Sequence, residues 1–237
     1  MDSSQNGWEA SAAAWIADMG DTGDLSRQFV LDRPMLERVR QGNFRNALDV
    51  GCGEGRFCRM LRAEGIETTA IEPTRTLRET AQARDPDGVY IDATAEALPF
   101  DDARFDLVVS YLTLIDIDGA EAAIGEMARV LKPGGSLLIA NINGFATAGA
   151  WHRNDEGEAL FFGIDRYLDA RPEWVSWRGI AIRNWHRPLS MYMQLLLHTG
   201  LRLVHFDEPS PDTGAEPGWA ERNRRIPFFH LMEWRKA

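Results

Sequence analysis

Two cysteines in 237 residues, no apolar run that approaches a membrane span, and no surplus of positive charge mark what this chain lacks. Cys52 falls in a tight turn and Cys58 in the helix expected after it, about 9 Å away along a helical rise, too far for a disulfide without distortion. Cys52 reads more simply as a small side chain filling the turn than as a thiol nucleophile. Lys and Arg number 26 against 36 Asp and Glu, a formal charge of −10, which excludes the broad basic face of sequence-independent nucleic-acid binding and disfavours an anionic membrane surface. Residues 1–26 hold no Lys or Arg, so the charged start of a secretory leader is missing and a cytoplasmic protein is expected. No His, Cys or Asp spacing suggests a metal site. Tryptophan is absent from residues 16–150, and all eight lie outside that stretch, at 8, 15, 151, 174, 177, 185, 219 and 234.

Hydrophobic residues at 44% and charged residues at 26% are ordinary for a globular chain, long enough for one domain with an insertion. Its organising stretch is Leu48-Asp49-Val50-Gly51-Cys52-Gly53-Glu54-Gly55-Arg56-Phe57, an apolar run that breaks into alternating glycines and then a helical pattern. Strand, tight turn and helix follow from it. Glycines at 51, 53 and 55 supply positive φ and leave bare backbone against which a ligand can lie, next to the first amides of a helix. Glu72 stands about 20 residues beyond the turn, after Thr68-Thr69-Ala70-Ile71, where a Rossmann-type site places its ribose-binding carboxylate. Charge then selects between cofactors. Asp49 and Glu54 flank the turn, and the closing position of the dinucleotide fingerprint is Arg56 rather than glycine. Two acids there repel the pyrophosphate of NAD and attract the ammonium of S-adenosylmethionine.

From Arg45 the pattern alternates: strand 46–50, helix 55–64, strand 67–72, helix 74–84, strand 88–91, a turn or short helix 94–97, strand 105–110, helix 119–131, a Pro133-Gly134-Gly135 turn and strand 135–142. This rhythm predicts an α/β fold, a Rossmann-like, mostly parallel sheet covered by helices on both faces. Residues 1–7 are expected to lack regular structure. A helix from Trp8 to Ile16 carries Trp8 and Trp15 on one face, and a second helix to about Arg40 starts with Asp32 as cap and Pro34 behind it. About forty residues after Asn143 break the rhythm and are expected to form a lid. A helix from Pro188 to His198, a strand 201–207, a Pro/Gly-rich loop and a strand 226–234 complete the chain. The expected division is a helical cap 1–44, a cofactor-binding core 45–143, a substrate lid 144–187 and a C-terminal segment 188–237.

Ligands of an open parallel sheet collect outside the carboxyl ends of its strands. Here those ends carry Asp49 with the glycine turn, Glu72-Pro73-Thr74, Asp92-Ala93, Ser110-Tyr111-Leu112 and Asn141-Ile142-Asn143. Glu72 is placed to accept from both ribose hydroxyls, and Asp92 with the Ala93 amide to take adenine. Asp106 is expected to support the fourth strand rather than touch ligand.

With these residues the chain resembles the class I S-adenosylmethionine-dependent methyltransferases, within the group of small-molecule enzymes that includes the ubiquinone and menaquinone C-methyltransferases. The matching motifs are Leu48 to Phe57, Glu72, Asp92 to Phe100, Phe105 to Ser110 and Arg129 to Ser136. The resemblance implies seven strands with the last antiparallel, cofactor contacts from Asp49, Gly51, Gly53, Glu72, Pro73, Asp92 and Ala93, and the Ser110 carbonyl near the methionine ammonium. It further implies an arginine before the first strand for the methionine carboxylate, and Arg27 and Arg33 are both candidates. Residues 110–113 lack the Asn/Asp-Pro-Pro-aromatic run of enzymes acting on adenine or glutamine amides. No Pro-Cys pair matches the cytosine-C5 enzymes, and the two-glutamate hairpin of the arginine methyltransferases is not seen.

The tryptophans flank the cofactor half, so some should line a flat, dry pocket for an aromatic or heteroaromatic acceptor. The expected activity is methyl transfer to O, N or C of such a small molecule. Alternatives are a tRNA or protein acceptor, or an NAD-dependent oxidoreductase. His186, ahead of Pro188 at a helix N-terminus whose dipole disfavours imidazolium, is the first candidate general base. Tyr111 follows it, with His152 and Tyr167 behind.

Overall fold

A computed structural model describes residues 6–237. The expectation for residues 1–5 lies outside the described residues.

Helix α1 (Trp8–Met19), a π-helical turn (Arg27–Leu31) and α2 (Asp32–Gln41) precede β1 (Asn46–Val50). The alternation continues through α3 (Arg56–Ala63), β2 (Glu67–Ile71), α4 (Arg75–Arg84), β3 (Val89–Ile91), β4 (Phe105–Tyr111), α5 (Ala120–Val130) and β5 (Leu131–Ile142). After α6 (Gly144–Thr147) come β6 (Gly149–Arg153), β7 (Ala159–Ile164), β8 (Arg171–Trp177) and β9 (Ile180–His186). The chain closes with α7 (Leu189–His198), β10 (Arg202–Asp207), α8 (Pro217–Arg225) and β11 (Phe229–Arg235).

Seven strands form the main sheet in the order β10-β11-β5-β4-β1-β2-β3. β11 runs antiparallel to both its neighbours, and the pairs from β5 to β3 are parallel. The two-residue period of each strand divides its side chains between two cores. Leu48, Val50, Val108, Leu137 and Ile139 face α5 and α7 with Ile124, Met127 and Leu196. Ala47, Leu107, Val109, Leu138 and Ala140 face the other side with Met35, Val39, Phe57 and Leu61. Strands covered on both faces read as the near-continuous apolar runs seen in the sequence. Asp106 accepts from the Arg45 and Asn46 amides at 3.1 and 3.0 Å, which ties the start of β1 to β4 as expected.

Several local readings change. Asp32 is not a cap, because the π-helical turn runs straight into α2, and its carboxylate turns inward to the Arg56 guanidinium and the Tyr111 hydroxyl. The Pro133-Gly134-Gly135 turn is absorbed into β5 as an irregularity with Gly134 at φ +77°. Residues 208–224 are not all loop. Glu216 accepts from the Gly218 and Trp219 amides and Pro217 follows it, a cap and first-turn proline that start α8. The stretch after Asn143 forms two antiparallel hairpins, β6/β7 and β8/β9, instead of an irregular segment. Arg178 and Gly179 both take positive φ (+43° and +80°) between the paired Trp177 and Ile180, the two-residue geometry that matches strand twist.

β9 is fastened to the core at many points. Ser11 Oγ bonds both backbone groups of Ala181, and the Trp185 amide donates to the Ile115 carbonyl at 2.7 Å. The buried Arg187 guanidinium donates to the carbonyls of Leu114, Ile117 and Asp118, and its charge lies 4.5 Å from the Trp185 ring centroid. The hairpin β8/β9 is thereby a fixed wall over the carboxyl ends of β1 and β4. Among the described residues no helix is long and apolar enough to cross a membrane, and no group of His, Cys, Asp and Glu is arranged to hold a metal.

Candidate active site

The carboxyl ends of β1, β2 and β4, helix α1 and the hairpin β8/β9 enclose a cavity of about 710 Å³. That is within the range of roughly 300–1,000 Å³ typical of small-molecule sites.

Its floor is the glycine turn. Gly51, Gly53 and Gly55 have φ of +70°, +57° and +79°. Their jobs differ. A Cβ on Gly51 would lie 2.2 Å from Thr113 Cγ2, and one on Gly55 would lie 2.8 Å from the Tyr90 hydroxyl oxygen, so these two glycines let neighbouring segments close in. Around Gly53 only the Trp15 indole nitrogen comes near, at 3.9 Å, so its bare face opens to the cavity. The Gly51 and Cys52 amides donate to the Ile71 carbonyl at 2.9 and 3.1 Å, which pins the turn to the end of β2.

Glu72 is buried, and its two oxygens accept from the Gly53 amide (2.9 Å) and the Thr74 amide (2.8 Å). Burial pushes this carboxyl upward while the two amides hold it down. Each oxygen keeps a further lone pair for a hydroxyl donor. Asp49, also buried, is raised to about 7 by burial, against a hydrogen bond from the Cys58 thiol (3.2 Å) and with the Glu72 and Glu54 charges adding to the rise. One oxygen of the buried Glu54 has no hydrogen-bond partner. The two cysteines are free. Cys52, despite a hydrogen bond with Cys58, is pushed up to about 11 by desolvation and the surrounding carboxylates, which leaves it no thiolate character near neutrality.

Each arginine of the wall is matched by an acid. Arg27 pairs with Asp24 at 2.5 Å, Arg56 with Asp32, and Arg183 with Asp118 at 2.5 Å. Asp49, Glu72 and Asp116 line the same cavity with no salt bridge among the described residues, so the cavity holds an excess of acids over bases and turns negative as they ionise. The opposite wall is aromatic: Trp8 and Trp15 meet edge to face at 5.0 Å, Trp15 and Trp177 at 6.4 Å, and Phe228 and Phe229 lie beyond. Leu112, at the end of β4, holds φ +58°, a left-handed conformation uncommon for a branched residue and found here on the cavity wall.

The cavity brings together Arg27, Asp49, Gly51, Gly53, Glu72, Pro73 and Tyr111 of the expected site residues. Between the two arginine candidates the structure discriminates: Arg27 lines the wall, 5.0 Å from the Trp15 ring centroid, whereas Arg33 is exposed and pairs with Asp212. Asp92 and Ala93 do not line it. The Asp92 side chain is 69% exposed and pairs with Arg78, and the chain beyond presents Thr94, Ala95 and Glu96 to the cavity instead. Ser110 is fully buried within β4 and stops short of the lining. Tyr111 offers its ring, while its hydroxyl donates to Asp32 at 2.8 Å and is held well above the usual range by burial and that charge.

The structure places His186 away from the cavity. Thr147 Oγ1 lies 2.6 Å from its Nδ1, and Nε2–H donates to the Tyr167 carbonyl at 2.8 Å. Both ring nitrogens are engaged, by α6 and by the link between β7 and β8, and the residue is buried outside the cavity. His186→Asn should lower stability by about 1–3 kcal/mol, the cost of a broken buried hydrogen-bond pair, with the pH dependence of kcat unchanged. A thermal melt and a pH profile check this. His152 stacks on Phe161, and the Tyr167 hydroxyl accepts from the Leu189 amide, both outside the cavity lining.

Asp116 was not legible beforehand as a site residue. It lies beyond the end of β4 in Leu114-Ile115-Asp116-Ile117-Asp118, and two acids in an otherwise apolar run were the available signal. The Asn184 amide of β9 donates to it at 2.5 Å. Desolvation raises it to about 8, with Asn184 and the Trp8 indole opposing and the Glu72 charge adding.

Comparison with known proteins agrees with this arrangement. Residues 48–139 match the methyltransferase domain family. A solved S-adenosylmethionine dependent methyltransferase of Mesorhizobium loti is 26% identical with a TM-score of 0.75 over 86% of this chain and 96% of that one. The chain carries a class I S-adenosylmethionine-dependent methyltransferase domain. The relatives of known structure share the overall fold of this chain. A structure from Listeria monocytogenes, 22% identical and with a TM-score of 0.78 over 86% of this chain and 96% of its own, shares that fold. The malonyl-[acyl-carrier protein] O-methyltransferase of Erwinia pyrifoliae is 36% identical over 108 residues, 46% of this chain and 41% of that protein. The chain spans less than two thirds of the length of the curated relatives it matches.

Proposed function

We propose that the chain transfers a methyl group from S-adenosylmethionine to a heteroatom of a small, ring-bearing acceptor, as a cytoplasmic enzyme. The observation that carries this reading is the junction of two unlike walls in one cavity, the glycine turn with Glu72 on one side and Trp8, Trp15 and Trp177 on the other. In this reading residues 1–44 cap the site, 45–143 hold the cofactor, 144–187 enclose the acceptor and 188–237 complete the sheet.

The residues present fit the cofactor. Gly53 leaves bare backbone, Glu72 keeps lone pairs for two ribose hydroxyls, and Asp49 favours an ammonium. When bound, S-adenosylmethionine supplies a methyl carbon already activated by a cationic sulfonium. The chain's own share is alignment and exclusion of water, for which the fastened β8/β9 wall and the tryptophans serve. A carboxylic acid acceptor, which the Erwinia relative's name specifies for that protein, would meet Asp49, Glu72 and Asp116 with every wall arginine already matched.

Screening isotopically labelled methyl transfer across phenols, amines, quinols and carboxylic acids tests the reading. Label in a ring-bearing small molecule supports it, and label only in tRNA or protein overturns it. A pH prediction follows from Asp49. Because its carboxyl titrates near 7 and an ammonium favours the ionised form, S-adenosylhomocysteine should bind roughly tenfold tighter at pH 8 than at pH 6. The part of that slope due to Asp49 should vanish in Asp49→Asn, measured by calorimetry at several pH values.

A further inference from the structure

Asp116 sits where the two walls of the cavity meet. On one side is the glycine turn, whose Gly51 is packed against Thr113 of the same post-β4 segment. On the other is β9, whose Asn184 bonds the carboxylate, with Trp8 of α1 lining the same cavity. Two residues on, Asp118 is fully engaged by the Arg183 guanidinium and by the Trp185 indole at 2.5 Å. The segment thus holds one acid neutralised as a clamp for the hairpin and a second acid facing the cavity without a cation. Trp8, Trp15 and Trp177 surround the space beside it. A carboxylate backed by aromatic faces is the combination that recognises an organic cation, since ring quadrupoles and the anion both attract it.

Building on the methyltransferase reading, we propose that Asp116 recognises and deprotonates a protonated amine, so that the acceptor class is a small arylalkyl amine and not a carboxylic acid. In that step an N–H bond of the ammonium breaks, its proton passes to a carboxylate oxygen of Asp116, and the nitrogen keeps the electron pair it needs as a nucleophile. An ordinary carboxylate is a poor base for this. Asp116, raised to about 8, stands within about two units of an alkylammonium, against roughly six for an unperturbed aspartate. The groups that set its titration come from several elements: Glu72 after β2 raises it, and Asn184 of β9, Trp8 of α1 and Arg27 of the π-helical turn lower it.

Calorimetry on the full chain loaded with S-adenosylhomocysteine, using 2-phenylethylamine, 2-phenylethanol and 3-phenylpropionate as probes at pH 8.5, where Asp116 is mostly ionised and the amine still protonated, tests the proposal. The amine should bind at least tenfold tighter than the alcohol, and the carboxylate should not bind. Asp116→Asn should bring amine and alcohol within about twofold while S-adenosylhomocysteine affinity moves less than about threefold. Asn184→Ala, which keeps the carboxylate, should lower amine affinity several-fold and retain the preference over the alcohol. A carboxylate that binds best, an amine preference that survives Asp116→Asn, or no binding of the amine overturns the proposal. Failure of the wild-type chain to bind S-adenosylhomocysteine at all would instead strike the methyltransferase reading itself.

Discussion

Glu72→Gln should weaken S-adenosylhomocysteine binding by roughly 100-fold with the fold intact, as read by calorimetry and a thermal melt. Glu72 accepts from two amides, Gly53 and Thr74, and in the proposed complex from two ribose hydroxyls as well. Glutamine replaces one oxygen with an NH₂ group, which sets a donor against one of those amide N–H groups and removes the charge from every remaining bond. Hydrogen bonds to a charged acceptor are worth about 1.5–3 kcal/mol against about 1 kcal/mol for neutral ones, and two such losses come to about 2–4 kcal/mol. Each 1.4 kcal/mol is about tenfold in affinity. An affinity within threefold of wild type would show that this carboxylate braces the turn and does not hold the ribose.

Asp32→Asn should have the largest effect on stability. The carboxylate is shared by the Arg56 guanidinium and the Tyr111 hydroxyl, and the side chains of Asp32 and Arg56 are 13% and 10% exposed. Breaking a buried pair from one side leaves an uncompensated charge and costs roughly 3–5 kcal/mol. For a chain of this length each kcal/mol lowers Tm by about 2–4 °C, so a fall of about 10 °C is expected. The double replacement Asp32→Leu with Arg56→Met should recover much of it, because a buried pair exchanged for apolar volume is nearly neutral. A single-variant loss under about 1 kcal/mol would mean that water reaches the pair. The Tyr111 ring borders the cavity, so this ion pair links stability of the π-helical turn to the shape of the site.

The parallel sheet was legible because strands buried on both faces must be apolar throughout and must be separated by helices. The glycine turn and Glu72 were legible for a related reason: backbone geometry at 51, 53 and 55 and the turn's contact with the end of β2 are local demands that residue type reveals. Side chains whose role depends on distant partners were not. His186 does precede a helix, as its sequence context implies, but Thr147 of α6 and Tyr167 between β7 and β8 occupy both its nitrogens. Asp92 does follow β3, yet Arg78 of α4 draws it to the surface. Asp116 gains its character from Asn184, 68 residues on, and from Trp8 at the far end of the chain. The tryptophans divide likewise: Trp8, Trp15 and Trp177 border the cavity, while Trp234 is fully buried in the sheet core and Trp174 is exposed.

Titrating the chain in parallel with S-adenosylhomocysteine and with NAD at pH 8 tests the central claim, that a negatively charged, glycine-floored cavity accepts a donor with a cationic end. The account predicts one-to-one saturable binding of S-adenosylhomocysteine and none of NAD. Binding of NAD with no response to S-adenosylhomocysteine would contradict it.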